Sequence, residues 1–212
     1  MKILKYLPLN FLFLLIIPSC SSPEKKDSQD MNSFKVDKEY CQKLGLPEVE
    51  FNVMYPKNLK TDPPQEGYQN YAYNYFLKWD KNEIQTEAIS LCYSTVQKNS
   101  LMKDALVDQI LLQVKQMYEQ MGFTFTEDFI GKDTFDGKEY YQFRAKGTIN
   151  NKDREFVGEY KILCLIVEPE VNDKNGLFVM MVANQDSEIK NFSDFSSKGA
   201  ISSIWKSIKF DY

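Results

Sequence analysis

Six consecutive residues, Ile162-Leu163-Cys164-Leu165-Ile166-Val167, are apolar. Successive side chains of a strand point to opposite faces. A strand without a polar face is stable only where both faces are covered. The run therefore predicts a central strand, within a longer stretch from Phe156 to Val167, and a sheet with an apolar layer on each side. Turn signals surround it. Asp136-Gly137, Asn150-Asn151 and Asn175-Gly176 are tight-turn pairs, so neighbouring strands join as hairpins and the sheet is antiparallel.

Helix-period patterning supplies the covering layers. Ser100 to Met121 carries Leu106, Ile110, Val114, Met117 and Met121 at three-and-four spacing, with Ser100 as N-cap and Gly122 as stop. Ser193 to Ser203 predicts a second helix, and Ile204 to Phe210 runs out of it toward a closing strand. Upstream, Val36 to Leu44 reads as a short helix stopped at Gly45. Val49 to Tyr55 reads as a strand ended by Pro56. Lys57 to Gly67, with Pro63-Pro64, is loop. Gln69 to Leu77 alternates, with Tyr71, Tyr73, Tyr75 and Leu77 on one face, Asn70, Asn74 and Lys78 on the other, and Phe76 as the exception. Ile84 to Tyr93 follows, with Ile89, Leu91 and Tyr93 sharing a face. Phe123 to Ile130, the strand holding Tyr141, Phe143 and Ala145, and Leu177 to Ala183 complete the set. The expected fold is α+β: an antiparallel β-sheet flanked by helices on both faces, in one domain spanning residues 34–212.

The first 33 residues fall outside that pattern. Lys2 and Lys5 precede an apolar run from Leu7 to Ile17, too short to span a membrane and suited to a signal-peptide core. Ile17-Pro18-Ser19-Cys20 follows. A small residue before Cys at the end of such a core resembles the lipobox of bacterial lipoproteins, with Pro18 departing from the usual small residue. The resemblance implies a signal peptide over residues 1–19, lipidation of the Cys20 thiol and of its new amino group, and attachment to the cell envelope. Ser21 in place of an acidic residue implies the outer membrane. Several acyl chains hold far more firmly than one, at about 0.8 kcal/mol per buried CH₂. Residues 20–33 (CSSPEKKDSQDMNS) lack apolar periodicity and read as a tether with about 20 Å of mean reach.

In its element order the domain resembles the PsbP-like fold. The residues that carry the resemblance are Val53-Met54-Tyr55-Pro56, the helix Ser100 to Met121, the Gly137 to Val167 meander, Leu177 to Val182, and Ile204-Trp205-Lys206-Ser207-Ile208-Lys209-Phe210. The resemblance implies an α/β/α sandwich and a non-enzymatic binding or assembly role. It brings no catalytic motif and no cofactor, and analogy of fold does not fix function.

Composition narrows the chemistry. The chain has no His, which removes Ser-His-Asp and Cys-His nucleophile activation and His-ligated zinc. Formal charge is −4, or −6 once Lys2 and Lys5 leave with the signal peptide. With Arg144 and Arg154 as the only arginines, nucleic acid is not an expected partner.

Cys41, Cys92 and Cys164 remain after Cys20; in an oxidising compartment they allow one disulfide pair at most, or three buried thiols. They lack metal-ligand spacing. Tyr68, Tyr71, Tyr73 and Trp79 are candidate ligand-contact aromatics, able to stack on a sugar or peptide; alternating Tyr on one strand face is more often core, with the hydroxyls reaching the rim. Glu127-Asp128 and Asp133 with Asp136 read as solvated loop acids before they read as catalytic pairs. Asn172 to Gly176 fails as a calcium loop, because the twelve-residue frame would put Val171 and Val182 at ligand positions. The expected partners are the membrane, through the lipid, and an envelope protein, glycan or lipid. The expected role is a binding or accessory module facing the periplasm or the cell surface. Assembly within an outer-membrane complex and a carboxylate-dependent hydrolase are the two other readings.

Overall fold

The computed structural model describes residues 30–67, 71–94, 96, 103–151, 156–171 and 174–212. Cys20, Tyr68, Ser100 and Arg154 lie outside them. Among the described residues, ten strands and three helices run in the order β1 (Met31–Val36), α1 (Lys38–Leu44), β2 (Phe51–Pro56), β3 (Lys60–Asp62), β4 (Ala72–Trp79), β5 (Gln85–Tyr93), α2 (Lys103–Gln120), β6 (Thr124–Phe135), β7 (Lys138–Asn151), β8 (Phe156–Val167), β9 (Leu177–Asn184), α3 (Gly199–Ser207) and β10 (Lys209–Phe210). A 3₁₀ turn, Phe192–Ser196, precedes α3.

Seven strands form one antiparallel sheet in the order β3-β4-β5-β9-β8-β7-β6. The six-residue apolar run occupies β8, an interior strand, and its alternate residues feed two separate cores. Leu163 and Leu165 point to one face with Ile89, Leu91, Val179 and Met181. Ile162, Cys164 and Ile166 point to the other with Phe143, Ala145 and Phe178. Burying each such side chain contributes about 1.5–3 kcal/mol, so both layers are required.

Helix α2 covers the second face with Val107, Leu111 and Tyr118 fully buried and Leu106, Ile110, Val114 and Met121 packed beside them. Met117, expected on the apolar stripe, is 38% exposed. The stripe is centred one residue away, where the large Tyr118 ring fills the space against Phe123 and Phe143. Gly122 ends the helix as expected, with the Phe123 N–H returning to Tyr118 O.

The first face is covered differently from a plain helical layer. α3 packs there through Ile201, Ile204 and Trp205, on the face opposite α2. It shares the layer with α1 and a second, three-stranded sheet, β1-β2-β10. Four expectations change here. β1 begins at Met31 and pairs with β2 along its length, so an ordered strand starts inside the segment read as tether, and the helix read from Val36 begins only at Lys38. The chain from Ile204 to Ser207 is helical, and only Lys209–Phe210 is strand. The helix read as Ser193 to Ser203 is split into the 3₁₀ turn and α3.

The β4 alternation also breaks. Ala72 pairs with Cys92 and Asn74 with Leu91, so Tyr73 is an extra, bulged residue. The bulge puts Tyr73 and Phe76 on the first face, while Ala72, Tyr75 and Leu77 pack toward the second.

Candidate functional site

Of the four candidate aromatics, the structure describes three and does not bring them together. Tyr73 is fully buried, its hydroxyl donating to Pro47 O at 2.8 Å; this corrects the ligand-contact reading, because the bulge turns the ring into the core. Tyr71 is 56% exposed. Trp79 sits at the far end of β4 beside a small hollow of about 430 Å³, with Lys60 Nζ 4.5 Å above its ring.

Of the two readings of the thiols, the structure holds three buried thiols and no disulfide among the described residues. Cys41, Cys92 and Cys164 are buried free thiols. Cys41 belongs to the first core and the other two to the second. Cys92 on β5 and Cys164 on β8 are separated by β9. Two strand spacings are roughly 9.5 Å, beyond the ~7 Å that a disulfide spans between Cα atoms. Cys92 instead sits 3.9 Å from Met180 Sδ, and Cys41 3.6 Å from Val49 O. Burial pushes the Cys92 thiol up to about 12, and burial also raises Cys164 and Cys41.

The suspected acid pairs are all committed elsewhere: Glu127 to Lys146, Asp128 to Lys115, Asp133 to Arg144, and Asp136 to the Trp205 indole at 2.9 Å. Among the described residues, no three His, Cys, Asp or Glu cluster as metal ligands.

What the fold does build is a half-open cleft of about 920 Å³. Three parts of the chain meet there: the β6–β7 hairpin end, the end of β8 near the start of α2, and the α3–β10 C-terminal segment. Each wall has a local cause. The hairpin turns on Asp136 (φ 49) and Gly137 (φ 79), both left-handed as a two-residue turn between twisted strands requires. Asp136 tolerates that conformation and uses its carboxylate to accept the Trp205 N–H. Trp205 is held edge-on between Phe135 (5.2 Å) and Tyr140 (5.8 Å). At the C-terminus, Phe210 and Tyr212 stack at 5.7 Å, and the Tyr212 hydroxyl donates to Asn175 O.

The β8 side of the cleft is a charged network around Tyr141. Its hydroxyl donates to Asp104 in the first turn of α2. Lys132 lies 4.3 Å and Lys103 5.3 Å from its ring, cation–π distances. Lys132 is also 3.7 Å from Asp104, and Lys103 pairs with Glu168. The hydroxyl's hydrogen bond holds the Asp104 carboxyl below its usual range, and the hydrogen bond with Tyr141 raises Lys132. Lys138, Lys206 and Lys209 also line the cleft and are exposed. None of these three has an acidic partner within ion-pair distance among the described residues.

The cleft escapes sequence reasoning because Lys103, Tyr140, Glu168 and Lys206 share no motif. The available signals were the Asp136-Gly137 turn and the dense Trp205-Lys206-Ser207-Ile208-Lys209-Phe210 segment. No protein-family model and no curated protein matches the chain. In structure the chain is similar to cyanobacterial PsbP from Synechocystis sp. PCC 6803, known from its solution structure, at 12% identity and a TM-score of 0.46, covering 90% of this chain and 98% of that one.

Proposed function

We propose that this α+β chain is a lipoprotein anchored through Cys20 to the bacterial envelope, at the outer membrane, and that it works there as a non-enzymatic binding or accessory module. The observation that carries the binding role is the cleft. Aromatic side chains and three lysines that have no acidic partner among the described residues meet in a volume suited to part of a glycan, peptide or lipid. Two of its carboxylates are occupied, Asp136 by Trp205 and Glu168 by Lys103, which favours binding over carboxylate catalysis. Support for the anchor is the sequence at Ile17-Pro18-Ser19-Cys20 and the polar segment behind it. Among the described residues no helix is long and apolar enough to cross a membrane.

Trp205 is the natural reporter. In a Trp79→Phe chain it is the only indole. Its fluorescence should change saturably on titration with one member of a panel of peptidoglycan fragments, acidic oligosaccharides, acidic peptides and short-chain lipids. The change should be lost in Lys206→Ala or Phe210→Ala. A flat response to the whole panel defeats the reading.

A further inference from the structure

A separate cationic cluster lies away from the cleft, on the first face of the large sheet where β7 meets β8. Lys146 and Lys161 are directly opposed in the β7–β8 register. Opposed residues share a face, and like charges in that position oppose strand pairing. Arg144 projects on the same face two residues before Lys146. Phe192 from the 3₁₀ turn lies over this part of the sheet, 5.9 Å from the Arg144 guanidinium and 5.6 Å from Lys146 Nζ.

The cluster is compensated unevenly. Lys146 turns to Glu127 on β6 at 2.6 Å, and Arg144 to Asp133 at 2.6 Å. Lys190 donates to Gln185 O at 2.7 Å, leaving further N–H donors on its ammonium. Asp194 is occupied by Lys198 at 3.0 Å. Lys161 is half-buried, and no carboxylate reaches it within ion-pair distance among the described residues. Burial first, then the charges of Lys190 and Lys146, hold its pKa below the usual lysine range; Glu159 and Asp194 offset this in part. A sheet that stabilised only itself would place a neutral or acidic residue opposite Lys146. Retaining a half-buried lysine there with no ion-pair partner among the described residues is the kind of local conflict that a ligand resolves.

We propose that Lys161, with Lys146 and Lys190, forms a binding site for a phosphate group. A phosphate presents several strong acceptor oxygens and about two negative charges, and lysine ammonium groups bind it as point charges. The site is open, so the group arrives either as free phosphate or as the headgroup of a membrane phospholipid.

The test is thermal unfolding of the detergent-solubilised full chain, with three additions compared with chloride at matched ionic strength: inorganic phosphate, dihexanoyl phosphatidic acid and dihexanoyl phosphatidylcholine. The Tm of the wild type should rise with phosphate, with phosphatidic acid, or with both. A rise with both identifies the phosphate group alone as sufficient, and a rise with phosphatidic acid only identifies the headgroup. Lys161→Met should lose the rise while melting higher than the wild type without anion, because the opposed charge is gone. Lys190→Met supplies a second variant in which the rise should shrink. Lys206→Ala, in the cleft, should leave the rise with inorganic phosphate unchanged, which separates this site from that one. A wild-type Tm that follows ionic strength alone, or a rise that survives in Lys161→Met, overturns the proposal.

Discussion

Glu87 is a buried carboxylate that joins three separate elements, and its removal has a magnitude that follows from its contacts. It lies on β5 with 1% of its surface exposed. One oxygen accepts from Lys78 Nζ at 2.8 Å and from Ser187 Oγ at 3.1 Å; the other accepts from the Ala200 N–H at 2.8 Å. Helix α3 has no side-chain cap of its own at Lys198, so a carboxylate from a distant strand satisfies its first turn and faces the positive end of its dipole. Glu87→Ala leaves the Ala200 amide and the Ser187 hydroxyl buried without an acceptor. Lys78 keeps 35% of its side chain exposed and turns to water. Breaking a buried pair costs about 3–5 kcal/mol, and the escape of Lys78 puts the expected loss near the lower end, about 3 kcal/mol.

Glu87→Gln keeps the shape and one acceptor and should lose about half as much as Glu87→Ala, since one hydrogen bond to a charged group is worth about 1.5–3 kcal/mol. Gly199 adds an independent check. Its φ is +67, and a Cβ there would stand 2.6 Å from Glu87 Oε2. Gly199→Ala should therefore be costly alone and less so in the Glu87→Ala background, giving a favourable coupling in a double-mutant cycle. Equilibrium urea unfolding followed by far-ultraviolet circular dichroism measures all four species. A Glu87→Ala loss under about 1 kcal/mol would refute the assignment of Glu87 as the cap of α3, since that is less than one buried unsatisfied donor costs.

Other outcomes follow from the same contacts. Cys41, Cys92 and Cys164 should resist a water-soluble disulfide reagent in the native state and react fully in urea; labelling of any of them at the rate of a free thiol contradicts their burial. Because the folded state raises the Cys92 pKa to about 12, its contribution to stability is complete below the unfolded thiol pKa of about 8.5. That contribution is lost as pH rises toward 12, at up to about 1.4 kcal/mol per pH unit; Cys92→Ala should flatten this alkaline limb in pH-dependent unfolding, and an unchanged slope refutes it. Asp136→Ala strands the Trp205 N–H and should cost about 1–3 kcal/mol, with a shifted Trp205 emission in the Trp79→Phe background as the direct readout. Cys20→Ala should abolish acylation and leave the domain folded; mass spectrometry of the wild-type amino terminus decides this, and an unmodified terminus downstream of Cys20 ends the lipoprotein reading.

Periodicity and turn chemistry make much of the architecture legible in the amino-acid sequence. The run from Ile162 to Val167 required two covered faces, Asp136-Gly137 placed a hairpin, and the spacing from Leu106 to Met121 placed α2, because each of these signals is local; Asn175-Gly176 is instead the end of a longer connection from Val167 to Leu177. The order of strands in the sheet did not follow from the chain, since β9 inserts between β5 and β8 by long-range pairing that no local pattern encodes. Tyr73 was misread because one bulged residue reverses a face. β1 was missed because Met31-Asn32-Ser33 is polar enough to pass for tether, and only its pairing with β2 makes it a strand. The thiols were legible as a count and not as a geometry: one intervening strand decides that Cys92 and Cys164 stay apart. The cleft, the lysine pair across β7 and β8, and the capping of α3 by Glu87 belong wholly to the tertiary structure, because each joins residues whose only relation is where the folded sheet puts them.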